Sequence, residues 1–351
     1  MIAVLMSGGV DSFVAAHLLK KSGADVVGVH FKTGYENADA SRLQEIAALA
    51  GVPLVFLDCE REFKRKIVDY FIGSYLDGET PNPCIACNRL IKFGVCADYA
   101  VSIGAEAIAT GHYCSAVRVG NRTVLGRGAD TGKEQSYFLA FLSQAQLSRA
   151  VFPLGNMKKS DVKKLAHDLS FPFLTQAESQ DVCFIRDTGY ARFIEEHAGM
   201  EFSPGHIQDT EGNIIGRHHG VHRFTIGQRR GINIPSSRPY YVAAIDTRRN
   251  LLTVGHREDL FVSEFMVRNV NWLLEPPDGS LDLLVMVRYN QTAVNARVVP
   301  VDGGRARVFF ATPQFGVAPG QAAVFYDGDT VLGGGIITRD FGRACCNKQK
   351  Q

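Results

Sequence analysis

The sequence predicts an α/β protein with an N-terminal doubly wound parallel sheet, a small central α+β or β domain and a C-terminal β-barrel. In the first half, short apolar runs alternate with helical patterns, which is typical of a parallel sheet. Beyond about residue 200, glycine-rich turns separate short runs of β-type residues, as in a small barrel. The length of 351 residues also exceeds what one ordinary core needs. We predict domains at residues 1–196, 197–263 and 264–343, and a disordered tail at 344–351.

The N-terminal half shows four β–α alternations. Buried parallel strands are predicted at residues 2–6, 26–31, 54–57 and 107–110, and helices at 13–21, 40–50, 63–76 and 88–103. A hairpin at 117–125 is expected to attach to this sheet. Because ligands bind at the carboxyl ends of the strands in such sheets, we expect Ser7, Phe31 and the stretch 111–113 to converge.

The C-terminal part has the strand spacing of a small barrel or sandwich. The β-type runs lie at residues 265–270, 283–288, 293–299, 306–310, 322–326 and 330–337. Before them, residues 205–231 form a locally basic stretch that contains His218, His219 and His222. No C-x-x-C or carboxylate pattern lies nearby, so a solvated or RNA-facing loop is favoured there over a metal site.

The composition is that of a soluble globular protein, with 46% hydrophobic and 21% charged residues. No apolar run approaches the ~20 residues that span a bilayer. The chain starts directly with a core strand, which leaves no room for a signal peptide, so we expect a cytoplasmic protein without membrane contact. A net charge of +2 gives no global basic signature, and any polyanion partner must be met by local patches.

The segment Ser7-Gly8-Gly9-Val10-Asp11-Ser12 joins the first strand to the first helix. Its glycines allow backbone torsions and close approaches that a Cβ would forbid. The serines and the free N–H groups at the start of the helix would surround an anion, and a pyrophosphate fits there. The Walker pattern is not matched, because no Gly-Lys-Ser/Thr closes the loop. The alternative is that this segment is a glycine-rich strand-to-helix turn without a ligand.

Three cysteines in the predicted N-terminal domain suggest sulfur chemistry. Cys84 and Cys87 have C-x-x-C spacing at the start of a predicted helix, and Cys183 follows nearly a hundred residues later. A helix N-terminus lowers the pKa of a thiol, so we expect Cys87, and less directly Cys84, to be thiolates at neutral pH. A C-x-x-C alone is more often a redox pair or half a zinc site. Cys59, Cys96 and Cys114 are interpreted as buried residues without a role.

Several ordered motifs identify the family. SGGVDS, TPNPxxxCN, ATGHY, KEQSYF, FPLG, SQDVCFI, FTIGQRRG and PGQAAVFY together resemble the bacterial tRNA-specific 2-thiouridylases, members of the PP-loop ATP pyrophosphatase superfamily. The resemblance implies that ATP, with Mg²⁺, adenylates the C2 oxygen of the wobble uridine of tRNA, after which a persulfide sulfur displaces AMP. It also implies a sulfur-donor protein as a second partner, and we expect a monomer.

The resemblance carries residue roles with it. Cys87 matches the nucleophile, and Cys183 matches the persulfide carrier that Cys87 resolves by forming a disulfide. The ATP site is matched by Leu5, Met6, Ser7, Gly8, Gly9, Val10, Asp11 and Ser12, with Phe31 and Gly111 as further contacts. The target-base loop is matched by Asn82, Pro83 and Cys84, and the tRNA contacts by His112, Lys133, Glu134, Gln135, Arg288, Tyr289 and Gln321.

The sequence departs from the commonest family pattern at Cys84, where most members carry an acidic residue. A carboxylate there is a candidate general acid or base, and a thiol does that work differently. Cys84, Cys87 and Cys183 are therefore also candidate ligands of a [4Fe–4S] cluster that carries sulfide on an open iron. Cys84 could equally be a resolving thiol or a bystander.

Two other functions compete with tRNA thiolation. The first is a PP-loop ligase that acts on a small carboxylate or amide, which predicts conversion of ATP to AMP that tRNA does not stimulate. The second is a tRNA-binding module with a vestigial nucleotide site. The presence of Asp11 and Ser12 together with Cys87 and Cys183 argues against the second.

Overall fold

The computed structural model describes residues 1–36, 39–171, 182–185, 189–289 and 291–341. Its strands are β1 Ile2–Leu5, β2 Val26–Lys32, β3 Leu54–Asp58, β4 Ala107–Ala109, β5 Cys114–Val119, β6 Arg122–Arg127, β7 Ala150–Val151, β8 Gly205–Gln208, β9 Ile214–His218, β10 Tyr241–Asp246, β11 Leu251–Gly255, β12 Phe261–Trp272, β13 Leu281–Met286, β14 Val294–Val301, β15 Arg305–Phe315, β16 Ala322–Asp327 and β17 Thr330–Phe341.

Two of the helices contain π-helical turns. The simple α-helices are α1 Val10–Lys21, α2 Ala40–Leu49, α5 Gln144–Leu147, α6 Lys159–Asp168 and α7 Gly189–His197. Helix α3 comprises Glu60–Phe63, the π segment Lys64–Val68 and Asp69–Leu76, and helix α4 comprises Pro83–Cys87, the π segment Asn88–Val95 and Cys96–Ser102. Short 3₁₀ turns lie at Ser136–Leu139, Val221–Arg223 and Arg257–Leu260.

The N-terminal sheet is parallel and has the order β3-β2-β1-β4-β7. Strand β1 lies in the middle and pairs with β2 on one side and with β4 on the other. The strand order reverses between β1 and β4, and in doubly wound sheets such a reversal opens a ligand crevice at the carboxyl ends of the strands. This arrangement confirms the predicted α/β class.

Successive residues of β1 face opposite sides of the sheet and fill two separate cores. Ala3 and Leu5 belong to one buried cluster, and Val4 and Met6 belong to the other. The first cluster continues into residues of the C-terminal barrel such as Tyr326, which is completely buried. The N-terminal sheet and the barrel are therefore packed on a common apolar core.

The C-terminal strands close into an antiparallel barrel. Their order is β12-β15-β14-β13-β16-β17, and an additional β12–β17 pairing closes the circle. The central region is a smaller sheet with the order β10-β11-β8-β9, built on a core that includes Ile207, Val242 and Leu252. Both findings confirm the predicted fold class of the C-terminal half. No helix in the described ranges is long and apolar enough to cross a membrane.

Two elements differ from the sequence prediction. The predicted hairpin exists as β5 and β6, but β6 pairs with β17 of the barrel and not with the parallel sheet. The reason is burial, because this pairing places Leu125 opposite Val331 and both become completely inaccessible. Helix α4 starts at Pro83, five residues before the predicted start, because the Asn82 side chain accepts the N–H of Ile85 at 3.2 Å and caps the helix.

Candidate active site

The loop between β1 and α1 is held by its own serines. Ser12 Oγ donates to the carbonyl oxygen of Gly9 at 2.9 Å and accepts the N–H of Ser7 at 3.3 Å. Ser7 Oγ accepts the N–H of Gly9 at 3.4 Å. Gly8 has φ +81°, and a Cβ there would lie 2.9 Å from a methyl group of Leu43. The loop therefore keeps a fixed shape at the N-terminus of α1, where backbone N–H groups favour an anion.

The end of β4 meets this loop at Gly111. A Cβ on Gly111 would lie 2.9 Å from the carbonyl carbon and the Cβ of Asp11, so only glycine allows this approach. On the other side of β1, the Met6 N–H donates to the carbonyl oxygen of Val29 at 2.9 Å, and Phe31 lies two residues further along β2. The structure thus brings Ser7, Phe31 and Gly111 to the carboxyl edge of the sheet, as the strand order requires.

Asp11 has partners that the sequence did not reveal. Lys159 Nζ lies 2.7 Å from both carboxylate oxygens, and the hydroxyl of Tyr113 donates to Oδ1 at 2.7 Å. His30 is also buried at this edge, where its Nδ1 lies 2.8 Å from the carbonyl oxygen of Met6. The contact of Lys159 with Asp11 joins residues 148 positions apart, so it depends on the tertiary fold.

The thiols of α4 lie in its first turns. Cys84 is exposed, whereas Cys87 is buried within the core cluster of the sheet. Burial raises the pKa of Cys87 to about 12. The pKa of Cys84 is also raised, because the surrounding protein desolvates the thiol although the residue reaches the surface. The expectation of thiolates at neutral pH was therefore wrong, because the loss of hydration outweighs the effect of the helix N-terminus.

Cys183 reaches the same region through an aromatic anchor. The adjacent Phe184 is 2% exposed and packs against Phe63, Phe71 and Phe193, with ring centroids 5.3 to 5.7 Å apart. Cys183 itself is exposed. It lies close enough to α4 that its charge raises the pKa of Cys87, and burial raises the pKa of Cys183 itself. The structure therefore brings together Cys84, Cys87 and Cys183, which are far apart in sequence.

Lys92 supplies positive charge to this cysteine group. It follows Cys87 by five residues, and across the π segment Asn88–Val95 residues with that spacing lie on the same helix face. Its ammonium group lowers the pKa of Cys84, Cys87 and Cys183, in opposition to burial. A strict α-helical reading of the sequence would have placed Lys92 on a different face.

His112 connects the two halves of the site. It follows Gly111, and its Nδ1 lies 2.7 Å from the hydroxyl oxygen of Thr110. Burial holds the pKa of His112 well below its usual range, and the charge of Lys92 adds to this effect. Lys92 therefore lies near both His112 and the cysteines.

The described residues do not form a metal-binding group. Nowhere in the described ranges do three or more His, Cys, Asp or Glu side chains lie close enough to hold a metal ion. Cys84, Cys87 and Cys183 are all described, so they do not fit the three-ligand set that a [4Fe–4S] cluster requires. We derive no step through a cluster.

The segment before α4 is held by the barrel. Thr80 donates its N–H to the carbonyl oxygen of Pro319 at 2.8 Å. The amide of Gln321 donates to the carbonyl oxygens of Thr80 and Pro81, at 2.9 and 3.2 Å. The side chain of Gln321, expected to contact tRNA, is thus engaged with the loop that carries Asn82 and Pro83.

Three of the other residues expected to contact tRNA lie in the segment at residues 133–135. Glu134 is 7% exposed and accepts the N–H of Ser136, and Gln135 is hydrogen-bonded to the backbone of Tyr113. Both side chains therefore have partners inside the protein, whereas Lys133 is half-buried.

Arg288 and Tyr289 lie around a buried tyrosine. The Tyr289 ring packs on Phe138 with a centroid distance of 4.3 Å and lies 6.0 Å from the completely buried Tyr137. Burial raises the pKa of Tyr137, and Arg288 and a hydrogen bond with Asn82 oppose this shift. The structure thus brings Asn82, Arg288 and Tyr289 together.

The histidines of the central domain are not all solvated. His218 and His222 are 3% and 1% exposed, whereas His219 is exposed. His218 Nδ1 accepts the N–H of Gly220 at 3.0 Å, and His222 Nε2 lies 2.8 Å from a carboxylate oxygen of Glu195. The expectation of a solvated loop was therefore wrong for His218 and His222, which are part of the packing.

Comparison with known proteins shows the family of this chain. The tRNA methyl transferase HUP domain matches residues 1–187, the tRNA methyl transferase PRC-barrel domain matches 191–256, and the aminomethyltransferase beta-barrel domain matches 262–337. The chain is 56% identical over 338 residues to a tRNA-specific 2-thiouridylase from Desulfosudis oleivorans, an alignment that covers 96% of this chain and 94% of the relative. The chain belongs to the tRNA-specific 2-thiouridylase family.

Further relatives extend the match over the whole length. A tRNA-specific 2-thiouridylase from Trichlorobacter lovleyi is 42% identical over 349 residues, covering 96% of this chain and 97% of the relative. Among solved structures, NMN synthetase from Francisella tularensis is similar over 51% of this chain and 66% of its own, with 19% identity and a TM-score of 0.34. A TM-score of that size supports no functional conclusion.

Proposed function

We propose that this chain catalyses ATP-dependent 2-thiolation of the wobble uridine of tRNA. The observation that carries the proposal is the presence of an anion-binding loop at residues 7–12 and of the neighbouring thiols Cys87 and Cys183 in one domain. Full-length relatives named tRNA-specific 2-thiouridylases support the choice of substrate. The assignment to ATP rests on the same loop.

In the first step the uridine C2 oxygen attacks the α-phosphorus of ATP, and pyrophosphate leaves. The backbone N–H groups of the loop and the start of α1 bind the pyrophosphate through fixed dipoles. Mg²⁺ bound with ATP supplies charge neutralisation, and the carboxylate of Asp11, which is 34% exposed, is the hard oxygen donor that suits it. The product is an adenylated uridine, whose C2 oxygen can leave with AMP in the next step.

In the second step sulfur replaces that oxygen. The terminal sulfur of a Cys183 persulfide attacks C2, the C–O bond breaks and AMP departs. Cys87 then attacks Sγ of Cys183, so that the S–S bond of the persulfide breaks, its electron pair stays on the uridine sulfur and a Cys87–Cys183 disulfide forms. An external dithiol reductant restores both thiols.

The exposure of the two cysteines suits these roles. Cys183 is exposed and can receive sulfur from a donor protein, whereas Cys87 is buried and protected from unrelated oxidants. The resting state of Cys87 is a thiol because burial raises its pKa more than Lys92 lowers it, so its reaction needs a proton acceptor. The exposed Cys84 stands in the place of the usual acid.

The barrel and central domain complete the proposal. We assign them to tRNA binding, with Arg288, Tyr289 and Lys133 at the substrate side of the site. We keep the division at residues 1–196, 197–263 and 264–343, and a monomeric cytoplasmic enzyme, as parts of the same proposal. The predicted tail at 344–351 and residues 179–181 of the SQDVCFI motif lie outside the described residues.

The test is a reconstituted reaction with ATP, Mg²⁺, a persulfide donor and unmodified tRNA. We expect AMP and 2-thiouridine in equal amounts, and no product with a tRNA that carries cytidine at the wobble position. Formation of AMP that tRNA does not stimulate would favour a ligase for a small carboxylate or amide. Iron and acid-labile sulfide in stoichiometric amounts in anaerobically purified protein would instead support the cluster alternative.

A further inference from the structure

The carboxylate of Asp11 is clamped from two sides. Lys159 Nζ lies 2.7 Å from both oxygens, and the Tyr113 hydroxyl donates to Oδ1 at 2.7 Å. The side chain of Lys159 is 10% exposed, whereas that of Asp11 is 34% exposed. The lysine therefore lies beneath the carboxylate, and the carboxylate faces the crevice.

Both arms of the clamp are themselves fixed by the segment at residues 130–135. The backbone N–H of Lys159 donates to Asp130 Oδ2 at 2.8 Å. The N–H of Tyr113 donates to Gln135 Oε1 at 3.1 Å, and the carbonyl oxygen of Tyr113 accepts the N–H of Gln135 at 2.9 Å. These bonds fix the backbone from which each arm of the clamp extends.

The clamp makes up for what the loop lacks. The sequence has no lysine within residues 7–12, so the loop itself supplies no cation to the carboxylate of Asp11. Lys159 is the first residue of α6, and Gly111 approaches the backbone of Asp11 closely. A carboxylate fixed by two charged contacts and one hydroxyl has a single orientation.

We infer that Lys159 and Tyr113 are positioning residues of the nucleotide site, which hold the Asp11 carboxylate in the orientation that ATP cleavage requires. This inference rests on the proposed ATP-dependent function. Neither residue is assigned a direct contact with ATP. They influence ATP cleavage by holding Asp11, so their substitution should have no further effect once the Asp11 carboxylate is removed.

The test is a double-mutant cycle on AMP formation in the presence of tRNA and a persulfide donor. Lys159→Met and Asp11→Asn are each expected to lower the rate by about 10- to 100-fold, the effect of losing a charged hydrogen bond. Asp11→Asn/Lys159→Met is expected to be no slower than Asp11→Asn alone. Lys159→Arg should recover part of the rate, and Tyr113→Phe should lose less than Lys159→Met. Lys158→Met, a change of the exposed neighbouring lysine, is the matched control and should equal the wild type.

Three results would overturn the inference. They are a wild-type rate in Lys159→Met, a wild-type rate in Asp11→Asn alongside a loss in Lys159→Met, and a double variant slowed by the product of the two single effects. Tyr113→Phe keeps the ring in place and serves as the test if Lys159→Met fails to fold. If the wild type itself forms no AMP with tRNA, the proposed function fails, and the affinity of the same variants for ATP alone then tests the clamp.

Discussion

The side-chain amide of Gln321 donates a hydrogen bond to the carbonyl oxygen of Thr80 across 2.9 Å, although the two residues are 241 positions apart in the chain. A second bond joins the same amide to Pro81. The C-terminal barrel therefore fixes the segment that leads into the Asn82 cap of α4 and its cysteines. The barrel and the N-terminal domain are therefore joined at this segment.

Loss of this support should weaken thiolation. Gln321→Ala removes two bonds to backbone oxygens, each worth about 1 kcal/mol net, and leaves the oxygens without their partner. We expect AMP and 2-thiouridine to fall together by about tenfold, with ATP affinity unchanged. Gln314→Ala, whose amide bonds only to nearby Thr312 among the described residues, is the control. Equal activity of the two variants would contradict the structural role of Gln321.

The ion pair between Arg268 and Glu79 is a second contact with the same segment, and it should contribute to the free energy of unfolding. Arg268 forms a two-pronged ion pair with Glu79, at 2.9 and 2.8 Å, and Glu79 is 14% exposed. A double-mutant cycle with alanine at both positions should give a coupling of about 1 kcal/mol in the free energy of unfolding, because Arg268 is 42% exposed and partly screened. The exposed pair Lys64–Asp69 should give no measurable coupling.

Cysteine reactivity should depend on pH in a direction set by burial. Because the pKa of Cys87 is raised to about 12, its alkylation by iodoacetamide should be very slow at pH 7 and increase steadily above pH 9. The charge of Lys92 lowers the pKa of Cys183, so Lys92→Met should slow alkylation of Cys183 at pH 8. Peptide mass spectrometry measures both rates, with Lys158→Met as control. Rapid alkylation of Cys87 at pH 7 would contradict the buried thiol.

His112 should contribute to acid sensitivity. Burial depresses its pKa well below 6.5 in the folded protein, whereas the unfolded chain titrates near 6.5. Its contribution to stability is thus fully present above pH 6.5 and is lost as the pH falls through the folded pKa, because the unfolded chain binds the proton first. His112→Gln should flatten the fall in Tm between about pH 7 and pH 5. The exposed His219→Gln should leave the slope unchanged, and equal slopes in both variants would refute the assignment.

Local patterns explain which parts of the fold were predictable. Apolar runs such as residues 26–31 and the glycines of the loop act over a few positions, so β2 and the loop were predicted correctly. The docking of the β5–β6 hairpin depends on β17, about two hundred residues away, and no local pattern reports it. The sequence predicted a helix only from residue 88, whereas α4 starts at Pro83, because proline is tolerated in the first helical turn.

The sequence predicted the residues of the site only where they belong to a recognisable motif. Cys87 and Cys183 were recognisable from their surroundings in sequence, whereas Lys159 and Tyr113 act through contacts that only the folded chain creates. Lys92 lies on the same helix face as Cys87 because α4 contains a π segment, which the sequence did not predict. The pKa of Cys87 was mispredicted because helix position can be read from sequence, whereas burial of that thiol cannot.

The central claim is that Cys183 carries the sulfur and Cys87 resolves it. The most direct measurement is the amount of 2-thiouridine in tRNA, together with pyrophosphate, in Cys183→Ser protein supplied with ATP, Mg²⁺ and a persulfide donor. We predict pyrophosphate release without 2-thiouridine, because adenylation uses the loop at residues 7–12 and needs no sulfur. Formation of 2-thiouridine by Cys183→Ser at the wild-type rate would contradict the account.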